Sequence, residues 1–338
     1  MTHPPIATEL NQALPAHLRE ALFAAQAQRA LQPCGRYAPT PSGPLHRGNL
    51  RTALLSWLQA RLSGATWLLR FDDLDTPRLR PGAQALALAD LQWLGLTWDG
   101  EPLLQSNRRG LYNSLLSSLR RSELVYPCHC SRRMLADVSA PHGAWPLYPG
   151  TCRAQPADWR ARQGRWPSWR LRLAAGALSW QEAGQSPCRL DGPTEVGDVV
   201  LRRADGFLAY HLATAADELW CGITTVVRGE DLWVSTAPQR ALMQLLGCEP
   251  PRYWHVPLVR DASGERLAKR DGAEGLQAWR ERGGSAEALI GEWAAECGWL
   301  EAGQSLSALE LLQHLQRCPD PMRGAAAVGH LPLAIPRG

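Results

Sequence analysis

The stretch Arg36-Tyr-Ala-Pro-Thr-Pro-Ser-Gly-Pro-Leu-His-Arg-Gly-Asn49 decides how this chain folds. Its three prolines and two glycines exclude regular structure. It nevertheless lies between a short strand candidate at residues 34–38 and a helical run rich in leucine and alanine at residues 50–62. The sequence therefore predicts a strand-to-helix turn.

A turn that opens a helix presents unpaired backbone N–H groups and the positive end of the helix dipole, and both attract phosphate. His46 adds a donor beside them, and Gly48 lacks the Cβ that would keep a nucleotide away. The order Pro-x-Pro-Ser-Gly-x-x-His-x-Gly-Asn resembles the "HIGH" signature of class I aminoacyl-tRNA synthetases, in the form used by the glutamyl branch. The resemblance implies that ATP contacts His46, Gly48 and Asn49.

A second stretch, Glu265-Arg-Leu-Ala-Lys-Arg-Asp-Gly272, contains the only lysine of the chain, Lys269, among 36 basic residues. A compact ammonium on a flexible stem is not interchangeable with a planar guanidinium where a point charge must follow a phosphate. The loop resembles the "KMSKS" loop of the same enzyme class, which implies that Lys269 binds ATP and acts in catalysis with His46. Arg266 and Ala268 depart from the family pattern, so slower or differently gated activation is expected.

The next strand candidate, Trp67-Leu-Leu-Arg-Phe-Asp-Asp-Leu-Asp75, ends in three carboxylates and precedes a helix predicted at residues 84–94. Strand, helix, strand, helix begins a doubly wound α/β unit, in which ligands bind at the carboxyl ends of the strands. Asp72 is therefore placed to meet a cation of the ligand. In the resembling family this position receives the α-amino group of the amino acid, and Asp there is more typical of glutaminyl than of glutamyl enzymes.

The length and the amino-acid composition of the chain limit the classes of protein to which it can belong. A chain of 338 residues with 45% hydrophobic residues can bury a core and form more than one domain. A net charge of +4 leaves nucleic-acid binding to local basic patches. No apolar run approaches the roughly 18 residues of a membrane span, and no signal-peptide pattern begins the chain, so we expect a cytoplasmic or organelle-matrix protein without a membrane partner. Nine scattered cysteines do not suggest a disulfide framework.

Three of those cysteines are close in sequence, in Tyr-Pro-Cys128-His-Cys130 and Tyr148-Pro-Gly-Thr-Cys152. Thiolates at this spacing suit a tetrahedral zinc ion that needs a fourth ligand. The segment resembles the structural zinc site of the glutamyl-queuosine tRNA(Asp) synthetases, which implies Tyr148 as the fourth ligand. Coordination chemistry alone leaves His129 and His142 as alternatives.

The second half of the sequence contains strand candidates at residues 169–173, 198–202 and 223–231 and helix candidates at 236–246, 286–297 and 308–317. Tyr210 and Arg228 coincide with the second substrate-binding half of the family, Tyr-x-Leu-Ala followed by Val-Arg-Gly-x-Asp. Family members usually have Asn where this chain has His211, which is a departure from the family pattern.

The predicted fold is α/β: a class I synthetase, Rossmann-type, doubly wound parallel sheet with an inserted zinc-binding, acceptor-type module and a C-terminal helical segment. Residues 1–33 form an N-terminal helical extension, in which Leu10, Leu14, Leu18 and Leu22 predict one amphipathic helix. Residues 34–125 and 198–262 form the two halves of the catalytic domain, and residues 126–197 form the inserted module. Residues 263–338 contain the lysine loop and the C-terminal helices.

Two carboxylates and an ammonium call for two arginines and one aspartate, which Arg36, Arg228 and Asp72 supply. The resemblance to glutamyl-queuosine tRNA(Asp) synthetases implies a monomeric ligase-type enzyme that forms glutamyl-adenylate from L-glutamate and ATP, with Mg²⁺, and transfers glutamate to queuosine in tRNA(Asp). It places the side-chain carboxylate of glutamate at Arg36 and Tyr210 and the α-carboxylate at Arg228. The implied glutamate-binding residues are Arg36, Tyr37, Ala38, Pro39, Thr40, Asp72, Tyr210 and Arg228.

Two other functions remain open from the sequence. A minimal glutamyl-tRNA synthetase would charge the 3′ end of tRNA, and the short segment after the lysine loop argues against it. A synthetase-like RNA-binding module without catalysis is supported only by the altered lysine loop.

Overall fold

The computed structural model of the protein describes residues 9–136, 145, 147–182, 187–257, 276 and 278–318, excluding the side chains at positions 132 and 136. Lys269, Arg266, Ala268 and His142 therefore lie outside the described residues. None of the described helices is long and apolar enough to cross a membrane.

The first part of the chain alternates helices with short parallel strands. Its elements are α1 (Glu9–Ala13), α2 (Ala16–Leu31), β1 (Cys34–Tyr37), α3 (Arg47–Leu62), β2 (Thr66–Phe71), α4 (Ala83–Trp93), β3 (Leu103–Leu104) and α5 (Arg109–Arg121). The strand-to-helix turn predicted after residue 38 is confirmed, since β1 ends at Tyr37 and α3 begins at Arg47.

The inserted module and the second part of the chain follow. Their elements are β4 (Val125–Cys128), α6 (Arg132–Ala136), β5 (Ser168–Leu171), β6 (Ala177–Trp180), β7 (Cys188–Asp191), β8 (Val200–Arg202), α7 (Tyr210–Trp220), β9 (Thr225–Gly229), α8 (Thr236–Leu245), β10 (Arg252–Val256), α9 (Ala286–Glu296) and α10 (Ala308–Gln316).

The parallel strands form two groups that meet in the middle of the molecule. β1, β2 and β3 pair in that order, and β9 pairs with β10. The N–H of Thr224, just before β9, donates to the carbonyl of Cys34 in β1 at 2.8 Å, which joins the two groups side by side. The strand order reverses between β1 and β9, and in such sheets ligands bind at that reversal.

Hydrophobic side chains cover both faces of this sheet because successive residues of a strand point to opposite sides. Along β2, Trp67, Leu69 and Phe71 pack with α3, α4, α9 and α10, whereas Leu68 packs into the core that contains α2, α5, α7 and α8. The predicted doubly wound α/β fold is confirmed. In the inserted module, β4 and β5 form an antiparallel sheet, and β6 and β7 form an antiparallel hairpin. β8, which lies beyond the predicted boundary at residue 198, pairs with β5 and extends the sheet of the module.

The N-terminal leucines form two helices, and the prediction of a single amphipathic helix is wrong. Pro15 follows Leu14 and takes the N-cap position of α2. A proline lacks the N–H that an uninterrupted helix needs at that point, so α1 ends and a new helix begins. Leu10, Leu14 and Leu22 are nevertheless buried, as the spacing indicates, in the core shared with α7 and α8.

Candidate active site

A cavity of about 1760 Å³ opens at the carboxyl ends of β1 and β9. Every described residue that the sequence predicted for glutamate or ATP lines it. These residues are Arg36, Tyr37, Ala38, Pro39, Thr40, His46, Gly48, Asn49, Asp72, Tyr210 and Arg228. Residues of the inserted module, among them Cys130, Tyr148 and Arg170, also line the cavity.

His46 begins helix α3 as its N-cap residue. Its Nδ1 accepts a hydrogen bond from the backbone N–H of Asn49 at 3.2 Å. An imidazole nitrogen that accepts a hydrogen bond carries no proton, so the proton of the neutral ring is on Nε2. The turn therefore offers an imidazole donor and the positive end of the α3 dipole in one cavity wall, which is the arrangement that binds phosphate.

Tyr37 differs from its neighbours in the turn, because its side chain belongs to the core. It is 6% exposed, stacks on Trp67 with ring centroids 6.2 Å apart, and donates its hydroxyl to the carbonyl of Asn49 at 3.2 Å. The side chain therefore holds the strand and the start of α3 together.

Arg36 and Asp72 belong to one buried network of charges. Nε of Arg36 donates to Glu218 at 3.0 Å, and its Nη1 donates to the carbonyl of Val227 at 3.0 Å. Arg70 donates to both oxygens of Asp72, at 2.7 and 3.4 Å, and its Nη1 lies 3.6 Å from the Glu218 carboxylate. Opposite charges are thus paired within the wall, which is how buried ions are tolerated.

Burial raises the pKa of Asp72 to about 6, although the charge of Arg70 acts in the opposite direction. The pKa of Glu218 is lowered, because the charges of Arg36 and Arg70 outweigh the effect of its burial. Near neutral pH both groups are therefore carboxylates. Arg70 occupies two of the roughly four acceptor positions of Asp72, so the carboxylate can accept further hydrogen bonds from a ligand.

Arg228 is 4% exposed, and its N–H groups donate only to neutral acceptors. These acceptors are His255 Nε2 at 3.0 Å, Gln239 Oε1 at 2.8 Å, Thr236 Oγ1 at 2.7 Å, Tyr210 Oη at 3.3 Å and the Leu232 carbonyl at 3.2 Å. Within the described part of the chain, no carboxylate lies within ion-pair distance of Arg228, whereas Arg36 and Arg70 both have one. A buried, uncompensated guanidinium favours an anionic ligand.

Behind Arg228 lies a buried pair that sequence reasoning missed. Nδ1 and the backbone N–H of His255 lie 2.9 and 2.8 Å from Oε1 of Glu182, and Trp180 donates its indole N–H to Oε2 of the same carboxylate at 3.0 Å. Burial, together with the charge of Arg228, lowers the pKa of His255 even though Glu182 opposes this. A neutral His255 with its proton on Nδ1 can accept from Arg228, so this pair orients the guanidinium. No motif marks it in the sequence.

His211 lines the cavity beside Tyr210, and the two rings meet edge to face with centroids 5.6 Å apart. Burial first, and then the charge of Arg228, lowers the pKa of His211 to about 4. The ring is therefore neutral near pH 7. Its buried Nδ1 has no hydrogen-bond partner among the described residues.

The sulfur atoms of Cys128, Cys130 and Cys152 lie within 4.8 Å of one another and form a group able to hold a metal ion. The Cys130 and Cys152 sulfurs are 3.6 Å apart. Zn–S bonds of about 2.3 Å in a tetrahedron require sulfurs about 3.8 Å apart, so the residues fit a zinc ion. Burial opposes ionisation of Cys128, but the hydrogen bond from Tyr148 and the charge of Arg170 lower the pKa of its thiol.

Tyr148 and His129 were the alternatives for a fourth ligand in this region. The hydroxyl of Tyr148 lies 3.4 Å from the Cys128 sulfur and 3.9 Å from the Cys130 sulfur. The ring Nε2 of His129 instead lies 2.9 Å from the carbonyl of Asp158. The tyrosine therefore adjoins the three sulfurs, whereas the histidine is engaged with another segment.

The fold and the cavity define a class of protein. Residues 34–311 match the family model described as tRNA synthetases class I (E and Q), catalytic domain. The chain belongs to this family. A solved structure of a glutamate tRNA ligase from Elizabethkingia meningosepticum, in complex with its amino acid, shares the fold with a TM-score of 0.70 and 24% identity, covering 83% of this chain and 64% of that one.

Within the family, two similar curated relatives have the same name. The protein named Glutamyl-Q tRNA(Asp) synthetase from Prochlorococcus marinus (strain MIT 9303) is 51% identical over 304 residues, which is 90% of this chain and 94% of that protein. The protein of the same name from Parasynechococcus marenigrum (strain WH8102) is 54% identical over 281 residues, 83% of this chain and 88% of that protein. The resemblance to this group inferred from the motifs is confirmed.

Proposed function

We propose that the protein is a ligase that activates L-glutamate with ATP and transfers it to the queuosine base of tRNA(Asp). The observation that carries the proposal is the cavity in which buried, uncompensated Arg228 and the Asp72 carboxylate lie together, in a chain about half identical to proteins named Glutamyl-Q tRNA(Asp) synthetase. A minimal glutamyl-tRNA synthetase is not favoured, because these relatives match almost from end to end.

In the proposed glutamate site, Asp72 binds the ammonium group and Arg228 binds the α-carboxylate. Arg36 and Tyr210 bind the side-chain carboxylate. The turn at residues 37–40 supports this subsite. The longest hydrogen bonds of Arg228, to Tyr210 and to the Leu232 carbonyl, are the ones that a substrate carboxylate would replace at least cost. Glutamine differs from glutamate only at the side chain, and a neutral amide accepts weaker hydrogen bonds from Arg36 and Tyr210 than a carboxylate does, so glutamine is expected to be rejected.

In the activation step an oxygen of the α-carboxylate attacks the α-phosphorus of ATP, and the bond to pyrophosphate breaks. His46 and the start of α3, with Gly48 and Asn49, contact the phosphates. Lys269 supplies a positive charge to the leaving pyrophosphate, and Mg²⁺ would accompany the nucleotide. Transfer then moves the glutamyl group to queuosine and releases AMP.

A structural zinc ion is proposed at Cys128, Cys130, Cys152 and Tyr148. Bound there, zinc would cross-link the two loops of the inserted module that form part of the cavity wall. The domain boundaries proposed from the sequence, 34–125, 126–197 and 198–262, put the glutamate residues in the two catalytic halves and the metal in the insertion. Because its nucleic-acid substrate is a tRNA, we place the activity in the cytoplasm, and we propose a monomer.

The proposal is tested with radiolabelled glutamate, ATP and tRNA(Asp) isolated from cells that make queuosine or from cells that do not. We expect label only on the queuosine-bearing tRNA, together with glutamate-dependent pyrophosphate exchange that needs no tRNA. Purified tRNA(Glu) is the control. Equal labelling of tRNA(Asp) with and without queuosine would refute the proposed substrate.

A further inference from the structure

One hairpin of the inserted module carries exposed arginine and tryptophan side chains. Arg162 and Arg165 exchange backbone hydrogen bonds of 2.9 and 3.0 Å, and the residues between them, Gln163 and Gly164, have φ values of 51° and 75°. Two positive φ values in a two-residue loop are typical of a type I′ turn, whose twist matches that of the flanking strands. Residues 158–166 are called the Arg/Trp hairpin below.

The base of the Arg/Trp hairpin is fixed to the rest of the module. The carbonyl of Asp158 lies 2.9 Å from the ring Nε2 of His129, which stands between Cys128 and Cys130 in the sequence. Trp159 packs edge-on against Trp169 of β5 with centroids 4.7 Å apart, and the guanidinium of Arg120 lies 4.1 Å from the Trp159 ring centroid. The hairpin therefore projects from a packed support.

The side chains along the hairpin are exposed and positively charged. The side chains of Arg160 and Arg162 are 94% and 58% exposed, and Trp166 is 62% exposed. Asp158 is the only acidic residue of the hairpin, against three arginines, and it lies 3.0 Å from Arg162 and 3.9 Å from Arg160. The hairpin therefore carries an excess of positive charge, and a large aromatic side chain left in water beside such an excess is typical of a surface that binds a partner.

The charge of the whole chain is concentrated in the same module. Residues 126–197 contain nine arginines and five acidic residues, which gives a net charge of +4. This equals the formal net charge of the full chain, so the remaining residues are neutral overall. A locally positive module on a neutral protein directs a polyanion to that module.

The hairpin also adjoins the proposed active site. Gly164 and Arg165 line the same cavity as Asp72 and Arg228. A polyanion held by the hairpin would therefore have one of its groups within reach of the activated amino acid.

We infer that the Arg/Trp hairpin is the docking surface for unpaired nucleotides of the RNA substrate, with Trp166 stacking on a base and Arg160 and Arg162 contacting phosphates. The inference rests on the proposed function, because that function supplies the RNA. Unpaired loop nucleotides fit the surface because only unstacked bases can lie on an aromatic ring, and arginine binds the phosphates between them.

Binding and activation are measured separately. In Trp166→Ala, affinity for queuosine-bearing tRNA(Asp) is expected to fall by about 5- to 150-fold, the usual loss for one stacked base, while pyrophosphate exchange without tRNA is unchanged. Trp166→Tyr should retain most of the affinity.

The arginines are tested through the salt dependence of binding. In the double variant Arg160→Ala/Arg162→Ala, the plot of the logarithm of the association constant against the logarithm of the salt concentration should become less steep, by about one unit of slope for each arginine removed. Arg189→Ala, an exposed arginine on β7 of the same module, is the matched control and should bind like the wild type.

Wild-type affinity and salt slope in both hairpin variants would overturn the inference. So would an equal loss of pyrophosphate exchange and RNA binding, which would mean that the hairpin only supports the fold. A wild-type protein that binds this tRNA in a hairpin-dependent manner yet transfers no glutamate would refute the proposed function and leave the docking surface supported.

Discussion

At the scale of single residues, the site depends on how each buried charge is balanced. Arg36 has a carboxylate partner in Glu218, and Arg70 has one in Asp72, whereas the acceptors around Arg228 are neutral. Of these three arginines, Arg228 is thus the one that gains most from an anionic substrate.

The raised pKa of Asp72 predicts how glutamate binding depends on pH. Its pKa is about 6, and only the carboxylate form binds an ammonium group. We expect KM for glutamate to rise by about tenfold for each pH unit below about pH 6 and to be flat above pH 7. Asp72→Asn should raise KM and abolish this dependence. Asp73→Asn is the control, because Asp73 is bonded to Ser106. A constant KM from about pH 5 to pH 7 would remove Asp72 from the ammonium site.

His46 has two separable roles, as helix cap and as phosphate donor. His46→Ala should slow pyrophosphate exchange by about 10²–10³-fold with little change in KM for glutamate, since a preorganised donor acts on charge developing in the transition state. The His46→Ala variant should also be less stable by about 1 kcal/mol, because the helix cap is lost. His46→Asn retains a good cap, so its thermal unfolding should match the wild type while exchange stays slow. Normal exchange in His46→Asn would contradict a catalytic role.

At the scale of secondary-structure elements, much of the fold could be predicted because its patterns are local. The helices expected at 50–62, 84–94, 236–246, 286–297 and 308–317 all occur within a few residues of their predicted ends. The β6–β7 hairpin was missed, because its strands are only four residues long and gain their stability from packing. Helix α7 was not predicted either, although the alanines in its sequence favour a helix.

The predicted glutamate and ATP residues come together in the structure because they lie near the carboxyl ends of β1, β2 and β9 or at the start of α3 and α7. The residues that orient them could not be predicted in this way. Glu218 lies on α7, 182 positions from Arg36, and His255 lies on β10, 73 positions from Glu182. Such pairs depend on which helix and strand become neighbours, and a single sequence does not contain that information.

Gly197 connects the backbone near β8 to the cysteine cluster. Its φ is +69°, and a Cβ there would lie 2.9 Å from the backbone N of Tyr148. Gly197→Ala should displace Tyr148, lower stability by about 1–3 kcal/mol and reduce zinc content. Gly283→Ala is the control, because Gly283 has a similar φ of +77° but no atom within 4 Å of a new Cβ. Full zinc content by elemental analysis and an unchanged melting curve in Gly197→Ala would contradict Tyr148 as a zinc ligand.

At the scale of the whole molecule, the C-terminal helices are tied to the turn that opens the fold. Arg47 pairs with Glu292 of α9, and Arg51 pairs with Glu296 at 2.7 Å and donates to the carbonyl of Pro257 at 2.6 Å. Pro257 lines the cavity and directly precedes the segment that contains Lys269. The first helix after the proposed phosphate site therefore also supports the start of the lysine segment.

Two buried neutral histidines predict a loss of stability in acid. The pKa of His211 is lowered to about 4, and that of His255 is also lowered, so the unfolded chain binds their protons more readily than the folded chain does. The free energy of unfolding should therefore fall as pH drops below about 6.5, by up to about 1.4 kcal/mol per pH unit for each histidine. Denaturant unfolding at about pH 7 and pH 5 should show that the free energy of unfolding falls less in His211→Asn than in the wild type. An identical loss in wild type and variant would contradict a neutral, buried His211.

The chemical position of the glutamate on the tRNA tests the central claim most directly. Queuosine-bearing tRNA(Asp), labelled by the protein with glutamate and ATP, is digested to nucleosides in mild acid, which preserves an ester, and the products are identified by mass spectrometry. We expect glutamate on the queuosine nucleoside and an unmodified 3′-terminal adenosine. Glutamate on the terminal adenosine, with unmodified queuosine, would contradict it and identify a glutamyl-tRNA synthetase that charges the 3′ end.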